Sequence, residues 1–202
     1  MAKIKKINDK LEKITDFLFE AGMLAKTPRS GFTFLGSGEQ SVSEHTNRVC
    51  YVGFALANMV PNIDQAKVLE MCLFHDFAEA RVSDLNYVHQ MYNKRNEAEA
   101  VNDLTSELPF GDKVKKIIHE YEVRESYEAK IAKDSDIIEW ILSLKEQLDM
   151  GNGRATVWIN NAVKRLKTKE AKELAEKIIK VDSNQWWDKE NEDWWVNRIK
   201  RI

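Results

Sequence analysis

The sequence predicts an all-α protein, on two observations. Only 8 glycines and 3 prolines occur among the 202 residues, about half of their usual share. A β-sandwich or barrel needs more turns than these residues supply. Apolar side chains recur at helical spacing through most of the chain. Hydrophobic residues make up 43% and charged residues 32%, a composition typical of a globular chain, and we expect one domain over residues 1–202.

The charge balance excludes some classes of partner. The chain has 31 Lys and Arg against 33 Asp and Glu, which argues against nucleic-acid binding through a basic surface. No apolar run approaches the roughly 20 residues of a membrane span, and charges interrupt the basic N-terminus, unlike a signal peptide. Cys50 and Cys72 lie in apolar helical patterns, which indicates reduced core thiols. We therefore expect a cytoplasmic protein with neither a nucleic-acid nor a membrane partner.

The N-terminal third contains a helix, a loop and a capped helix. The first amphipathic helix is predicted by Ile7, Leu11, Ile14, Leu18 and Phe19. It ends before the turn-forming residues 27–31, and the glycine-rich segment 31–40 predicts a loop. Ser41 and Glu44 have the spacing of a capping box, which opens a helix that runs to about residue 59.

Helices also dominate the rest of the sequence. A helix from about residue 63 into residues 74–76 is apolar on most faces, so we expect it to be central and buried. Residues 81–90 lack a clear period and predict a loop or short turn. Further helices are predicted at about 93–108, 112–121, 126–150, 156–166 and 169–181. The tail holds four of the six tryptophans and is expected to pack on the body or on a second subunit: Trp186, Trp187, Trp194 and Trp195.

The adjacent pair His75 and Asp76 is the sharpest chemical feature. Two polar side chains near the end of an apolar helix are costly unless something satisfies them. A divalent cation would do so, because imidazole nitrogen with carboxylate oxygen suits Mn, Fe, Co, Ni or Zn. The alternative is a buried histidine hydrogen-bonded to a neighbouring carboxylate. Glu79 follows His75 by four residues, so we expect it one turn away on the same helical face, within reach of a metal-bound water.

Three more side chains extend this possible site. His45 lies in the first turn of the capped helix, and Asp134 and Asp136 open the apolar half of the helix predicted at 126–150. Each of them alone is more typical of a solvated helix surface than of a metal ligand. Helical phase places Asp134 nearer the centre of the stripe formed by Ile137, Ile138 and Ile141, which favours Asp134 over Asp136 as the inward-facing acid.

The order of these residues resembles that of the HD-domain metal-dependent phosphohydrolases, and more closely their 5'-deoxynucleotidase branch. The resemblance covers about residues 10–155. It is carried by Thr27-Pro28-Arg29-Ser30-Gly31-Phe32, Ser41-Val42-Ser43-Glu44-His45, His75-Asp76-Phe77-Ala78-Glu79, Ser83-Asp84-Leu85, Glu120-Tyr121-Glu122, Glu128-Ala129-Lys130 and Lys133-Asp134-Ser135-Asp136. The His-Asp pair alone is a weak signal, whereas the motifs in this order are specific.

The resemblance implies an HD-domain helical bundle with a C-terminal helical extension over residues 156–202. It implies one divalent ion, Mn, Co, Mg, Fe, Ni or Zn, bound by His45, His75, Asp76 and Asp136. Asp136 is preferred because the family's ligand stands three residues after a lysine, here Lys133. A single ion is expected because the chain has few further histidines. His89 and His119 are expected at the surface, with His89 close enough to the Asp84 loop to touch a substrate.

The resemblance also implies roles for the residues around the metal. Glu79 matches the general acid/base and Asp84 a second loop acid, while Arg29 matches the arginine that orients the substrate phosphate. Phe32 matches an aromatic residue that packs on the sugar or base, although tryptophan is usual there. Ser83 and Asn86-Tyr87 also depart from the family pattern, which bears on substrate preference.

The function implied is hydrolysis of nucleoside 5'-monophosphates, deoxynucleotides above all, by a homodimer. Two other classes stay open. An HD protein can cleave a pyrophosphate or a cyclic nucleotide instead, or the chain can be a helical binding module without turnover.

Overall fold

Eleven α-helices make up the part of the chain that the computed structural model describes, residues 2–94 and 96–187. In order they are α1 Ala2–Ala21, α2 Gly31–Leu35, α3 Val42–Asn58, α4 Gln65–Phe74, α5 Glu79–Val82, α6 Tyr87–Tyr92, α7 Glu97–Thr105, α8 Gly111–Val123, α9 Tyr127–Asp149, α10 Ala155–Arg165 and α11 Lys169–Ile178. Within these ranges the one β-type pairing is an isolated bridge between Pro28 and Ser41. The all-α prediction is confirmed. Trp194 and Trp195 of the predicted tail lie outside the described residues.

Two segments predicted as loops contain short helices. α2 lies in the glycine-rich segment 31–40 and ends at Gly36, whose φ of 81° is left-handed. Glycine there ends a helix, as it commonly does, and does not prevent one. α6 begins after Asn86, whose side chain accepts hydrogen bonds from the Val88 and His89 amides. Asparagine is a preferred N-cap. The capping residues Gly36 and Asn86 were therefore the sequence signals of these two helices, which are too short to show a helical period.

The helix at the centre of the bundle is α9. Its Ile131, Ile138, Ile141 and Leu144 are fully buried, and it packs against α3, α4, α8, α10 and α11. The expectation that α4 would be the buried helix holds for one side of α4 only, because Leu73 is half exposed. A short, strongly apolar helix therefore lies against the central helix, while the long helix with mixed composition occupies the centre.

α3, α4 and α9 approach one another closely at Gly53. A Cβ on this residue would lie 2.5 Å from Cys72 Sγ of α4 and 3.5 Å from Ser135 Oγ of α9. Because these three helices carry or adjoin His45, His75 and Asp136, their contact at a glycine sets the distance between those side chains. None of the described helices is both long and apolar enough to cross a membrane.

Candidate metal centre and active site

His45 is placed by the start of α3. The predicted capping box is confirmed: Ser41 Oγ accepts from the Glu44 amide, and the Glu44 carboxylate accepts from the Ser41 amide. The same segment pairs with the residues before α2, through Arg29 N–H to Gln40 O at 2.8 Å and Val42 N–H to Thr27 O at 2.9 Å. This bridge holds the Arg29 segment beside the first turn of α3, where His45 is fully buried.

His75 is the C-cap residue of α4, and Asp76 lies in the turn that follows it. The His75 Nδ1–H donates to the Cys72 carbonyl at 2.9 Å. A carbonyl oxygen accepts hydrogen bonds and cannot donate one, so a neutral His75 presents its lone pair at Nε2. That nitrogen lies 3.3 Å from His45 Nε2 and 3.2 Å from Asp76 Oδ2.

Asp136 reaches the same place from α9. Its Oδ1 lies 3.2 Å from His45 Nε2. Its other oxygen, Oδ2, accepts from Lys133 Nζ at 2.7 Å and from the Tyr121 hydroxyl at 3.4 Å. Asp134, the alternative, points elsewhere: it accepts hydrogen bonds from the Lys167 amide and from the amide and hydroxyl of Thr168.

The donor groups of His45, His75 and Asp76 fit a divalent cation, and Asp136 adjoins them at His45. Donor atoms of His45, His75 and Asp76 all lie within 4.8 Å of one another. The two Nε2 atoms are 3.3 Å apart, a distance at which two nitrogen lone pairs repel unless a proton or a metal ion lies between them. Burial and Arg29 lower the pKa of His45, yet Asp136 and Glu139 outweigh them and raise it to about 9. The site therefore demands positive charge among mixed nitrogen and oxygen donors, as transition-metal sites do.

Glu139 belongs to this site and was missed in the sequence. It is fully buried on α9, and its Oε2 lies 2.5 Å from His45 Nδ1. Burial would raise the pKa of Glu139, but the hydrogen bond and charge of His45 lower it to about 2. A carboxylate on the outer nitrogen of a histidine fixes the ring's tautomer and strengthens it as a ligand. The available signal was an acid three residues after Asp136 inside an apolar stretch of the helix.

Further polar groups hold Glu139 in place. Its Oε1 accepts from Gln40 Nε2 at 2.7 Å, from Arg48 Nε at 2.9 Å and from Ser143 Oγ at 3.0 Å. With every one of these donors engaged, the carboxylate has little freedom to rotate away from His45.

Arg29 and Asp84 lie on one side of the donor cluster. Arg29 Nη1 is 3.1 Å from Asp76 Oδ2 and 3.4 Å from Asp84 Oδ2. Burial lowers the pKa of Arg29, but Asp76 and Asp84 raise it above its usual value, so the guanidinium stays charged. Both Asp84 oxygens accept from Ser30, from its amide at 3.1 Å and its hydroxyl at 3.2 Å. The contacts of Asp84 therefore serve to hold the Arg29 segment.

Two cavities adjoin the donor cluster. The first, which we call the Arg29 cavity, has a volume of about 430 Å³. Its lining residues are Arg29, Ser30, Gly31, Asp84, Leu85, Asn86, Tyr87, Gln90, Asp136, Ile137, Trp140, Trp158 and Arg165. The second, which we call the Glu79 cavity, has a volume of about 560 Å³. Its lining residues are His75, Asp76, Ala78, Glu79, Glu97, Ala98, Val101, Asn102, Lys115, Ile118, His119, Tyr121, Glu122, Arg124 and Lys133. Both volumes lie in the range of about 300–1,000 Å³ that is typical of small-molecule sites.

Glu79 is near the cluster, but not in the way the sequence predicted. α4 ends at Phe74, and Glu79 begins the separate helix α5 after a turn in which its amide donates to the Asp76 carbonyl at 3.0 Å. The expectation of one continuous helical face from His75 to Glu79 is wrong, because the His-Asp pair lies at the helix end. Glu79 is nevertheless buried and shares a cavity with both members of the pair.

Phe32 does not line the Arg29 cavity in the described part of the chain. It is buried, and its ring packs edge-to-face on Trp140 at a centroid distance of 5.2 Å. Trp140 itself lines the cavity, together with Tyr87 and Trp158. His89 and His119 are both exposed, and His119 lines the outer part of the Glu79 cavity.

Comparison of the sequence with known protein families identifies the family of this chain. The sequence profile of the HD domain matches residues 21–179. The chain belongs to the HD-domain family. This confirms the resemblance that the His45, His75-Asp76 and Asp136 motifs indicated.

Two curated relatives narrow the family. The chain is 30% identical over 151 residues to "5'-deoxynucleotidase hdd1" of Schizosaccharomyces pombe, an alignment that covers 69% of this chain and 75% of the relative. It is 26% identical over 142 residues to "5'-deoxynucleotidase HDDC2" of Danio rerio, with 67% and 70% covered. The HD proteins that this chain resembles in sequence are therefore those of the predicted branch.

Solved structures share the fold. A conserved hypothetical protein from Pyrococcus furiosus has a TM-score of 0.70 at 24% identity, over 83% of this chain and 99% of its own. A "Predicted metal-dependent phosphohydrolase" from Magnetospirillum magnetotacticum has a TM-score of 0.67 at 20% identity, over 84% and 91%. At these identities the likeness concerns the helical architecture, which agrees with the HD-domain bundle predicted here.

Proposed function

We propose that this HD-domain protein is a metal-dependent phosphomonoester hydrolase that releases phosphate from nucleoside 5'-monophosphates, deoxynucleotides above all. The observation that carries this proposal is the convergence of two imidazole nitrogens and two carboxylates beside a cavity that contains Arg29. The relatives named 5'-deoxynucleotidase support the same substrate class.

One divalent ion would be held by His45, His75, Asp76 and Asp136. When bound, such an ion polarises phosphate oxygens and lowers the pKa of a water molecule towards neutrality. Two nitrogen and two oxygen donors suit Mn, Fe, Co, Ni or Zn, and Mg remains a candidate on its oxygen ligands. Lys133 and Tyr121 orient Asp136 through its Oδ2, while Glu139 orients His45.

Arg29 is the group that holds the phosphate. Its planar guanidinium pairs two N–H groups with two phosphate oxygens, which a lysine cannot do. In the structure the same group contacts Asp76 and Asp84, so it is charged and already directed at the donor cluster. Asp84, fixed by Ser30, acts as a positioning residue for Arg29 under this proposal.

Glu79 receives the proton of the attacking water. In phosphoryl transfer the attacking and leaving oxygens lie roughly in line on opposite sides of phosphorus. Arg29 lines one cavity and Glu79 the other, so a nucleoside in the Arg29 cavity leaves the opposite side of its phosphate to a water beside Glu79. The water oxygen bonds to phosphorus, its proton passes to Glu79, and the bond from phosphorus to the 5'-oxygen breaks. That oxygen takes up a proton from solvent.

Phosphate release tests this function. The protein is stripped with a chelator, reloaded separately with each candidate ion, and assayed on 5'-monophosphates, 3'-monophosphates, triphosphates and cyclic nucleotides. We expect activity to need the ion and 5'-monophosphates to be the fastest substrates. Faster turnover of triphosphates or cyclic nucleotides would favour the pyrophosphohydrolase or phosphodiesterase alternative, and metal binding without turnover of any substrate would favour the binding module.

A homodimer in the cytoplasm is the assembly and location that we retain for this enzyme. The dimer rests on family resemblance, and the location on the reduced cysteines, both of which are free thiols in the structure. Mass measurement in solution tests the first of these.

A further inference from the structure

The wall of the Arg29 cavity carries three aromatic side chains that the metal chemistry does not use. Trp140 of α9 lies with its ring centroid 6.1 Å from that of Trp158 of α10, and Trp158 lies 6.2 Å from Tyr87 at the start of α6. All three line the cavity. A cavity that contains the arginine proposed to hold the phosphate, and that has aromatic side chains on its wall, has the composition of a base-stacking site.

Trp140 is held in place from behind. The Phe32 ring packs edge-to-face on it, and a Cβ at Gly31 would lie 3.0 Å from its Cη2 atom. Glycine at this position therefore lets the indole lie against the backbone of α2. The aromatic wall is closely packed on its α9 side and is built by residues far apart in the chain.

The same cavity contains a second guanidinium, that of Arg165. Arg165 ends α10, seven residues after Trp158, so both side chains project from one face of that helix. Arg29 is paired with Asp76 and Asp84, whereas no acid among the described residues pairs with Arg165. Two other polar residues of the wall are engaged locally, since Asn86 caps α6 and Gln90 Nε2 donates to the Leu85 carbonyl.

We propose that Tyr87, Trp140 and Trp158 form the nucleobase subsite and that Arg165 contacts the edge of the stacked base. This inference rests on the proposed function and names its substrate preference. A guanidinium donates hydrogen bonds and accepts none. Guanine offers the two acceptors O6 and N7, and thymine offers O4. Adenine has its N7 acceptor beside an amino donor, and cytosine presents an amino donor at the corresponding edge. The preferred substrates are therefore the 5'-monophosphates of deoxyguanosine and thymidine.

The experiment compares five substrates: the 5'-monophosphates of the four deoxynucleosides, and 2-deoxyribose 5-phosphate, which has no base. For the unaltered protein we expect kcat/KM to be about tenfold higher for guanine and thymine than for adenine and cytosine, the effect of one good hydrogen-bonded pair. Trp158→Ala should lower kcat/KM for all four nucleotides by about 5- to 100-fold, as loss of base stacking does. Its kcat/KM for the baseless sugar phosphate should be unchanged.

Arg165→Gln should abolish the preference, because an amide both donates and accepts, and should leave stacking intact. The matched controls are Val157→Ala and Lys164→Gln, exposed residues of the same helix that do not line the cavity. Both should behave as the unaltered protein. Equal loss on the sugar phosphate in Trp158→Ala would overturn the base subsite, and an unchanged preference in Arg165→Gln would overturn the role of Arg165.

A binding measurement separates this inference from the proposed function. Calorimetric binding of deoxyguanosine monophosphate to the chain should weaken in Trp158→Ala whether or not phosphate is released. Base-dependent binding without turnover of any monophosphate would contradict the proposed function alone. Turnover of all five substrates at equal kcat/KM would contradict the base subsite alone.

Discussion

The two aspartates at the start of the inward half of α9, Asp134 and Asp136, have the same side chain and different surroundings. Two residues apart on a helix, they point about 200° apart. Asp134 is fully buried, and its oxygens accept from two amides and a hydroxyl at the start of α11. Asp136 lies 3.2 Å from the Nε2 of His45. The first acid is satisfied by neutral donors, while the second faces the His45 nitrogen at which either a proton or a metal ion can lie.

The difference teaches how to separate a structural acid from a ligand. Thr168 is the N-cap of α11, and Asp134 adds a charged acceptor at that helix N-terminus, where the helix dipole favours it. The Asp134 carboxylate needs no further partner to stabilise it. Asp136 stands in a cluster with Asp76 and two histidines whose outer nitrogens are already engaged, an arrangement that suits a bound cation.

The largest expected effect comes from removing the acid that faces His45. Asp136→Ala should lose stoichiometric binding of a divalent ion and all measurable phosphate release, because it deletes a proposed ligand. Elemental analysis after dialysis, with the thermal midpoint as a check on folding, measures this. Asp134→Ala is the matched control, and a metal-free Asp134→Ala with a metal-loaded Asp136→Ala would reverse the assignment.

The next effect concerns an acid that adjoins the cluster without being proposed as a ligand. Glu79→Gln should keep its metal content and its affinity for a 5'-monophosphate while turnover falls by about 10²–10⁴, the usual loss for a general acid or base. Single-turnover kinetics on metal-loaded protein measures the chemical step. Glu97→Gln, on the wall of the same cavity, serves as the control, and loss of metal in Glu79→Gln would make Glu79 a ligand.

A smaller effect, on metal affinity, is expected at Glu139, which contacts the proposed ligand His45. Glu139→Gln keeps the shape of the side chain but removes its charge from His45, so metal affinity should fall by about 10–100-fold. Competition with a chelating dye measures the affinity. Glu146→Gln is the control, because Glu146 contacts the same Arg48 but is half exposed and does not contact His45. Equal losses in the two variants would assign the effect to Arg48.

The smallest effect on activity is expected at Asp134, where stability should respond instead. Asp134→Ala leaves buried donors at residues 167 and 168 without an acceptor, which costs about 2–3 kcal/mol of unfolding free energy. Metal stoichiometry and turnover at low temperature should stay unchanged. Urea denaturation of the metal-stripped protein measures the cost, and an unaltered midpoint would show that water replaces the carboxylate.

Much of the fold could be predicted from local patterns. The Ser41–Glu44 capping box, the long helix α9 and the two C-terminal helices follow from caps and periodicity, which depend on residues a few positions apart. The short helices α2 and α6 were not predicted, because five or six residues are too few to show a helical period. Their caps at Gly36 and Asn86 were the only signals.

Site residues that belong to a sequence motif could be predicted. Site residues whose position depends on the packing of distant helices could not. Helical phase placed Asp134 on the inward side of α9, and Asp134 is indeed fully buried. Burial did not reveal which neighbour it meets. Phe32 was expected against the substrate, yet the structure buries it behind Trp140, because the fold of α2 turns that ring towards α9.

The sequence by itself determined the longer helices, the Ser41–Glu44 capping box and the order of His45, His75-Asp76 and the later acid, since all of these are local in the chain. The tertiary structure alone decided the rest: that Asp136 meets His45 while Asp134 accepts hydrogen bonds from Thr168, that Glu139 contacts His45 across 94 positions of sequence, and that Trp158 adjoins Trp140. The physical reason is that periodicity assigns a side chain to a face of its own helix. Which atoms lie opposite that face depends on how α3, α4, α9 and α10 pack, down to the contact that Gly53 permits.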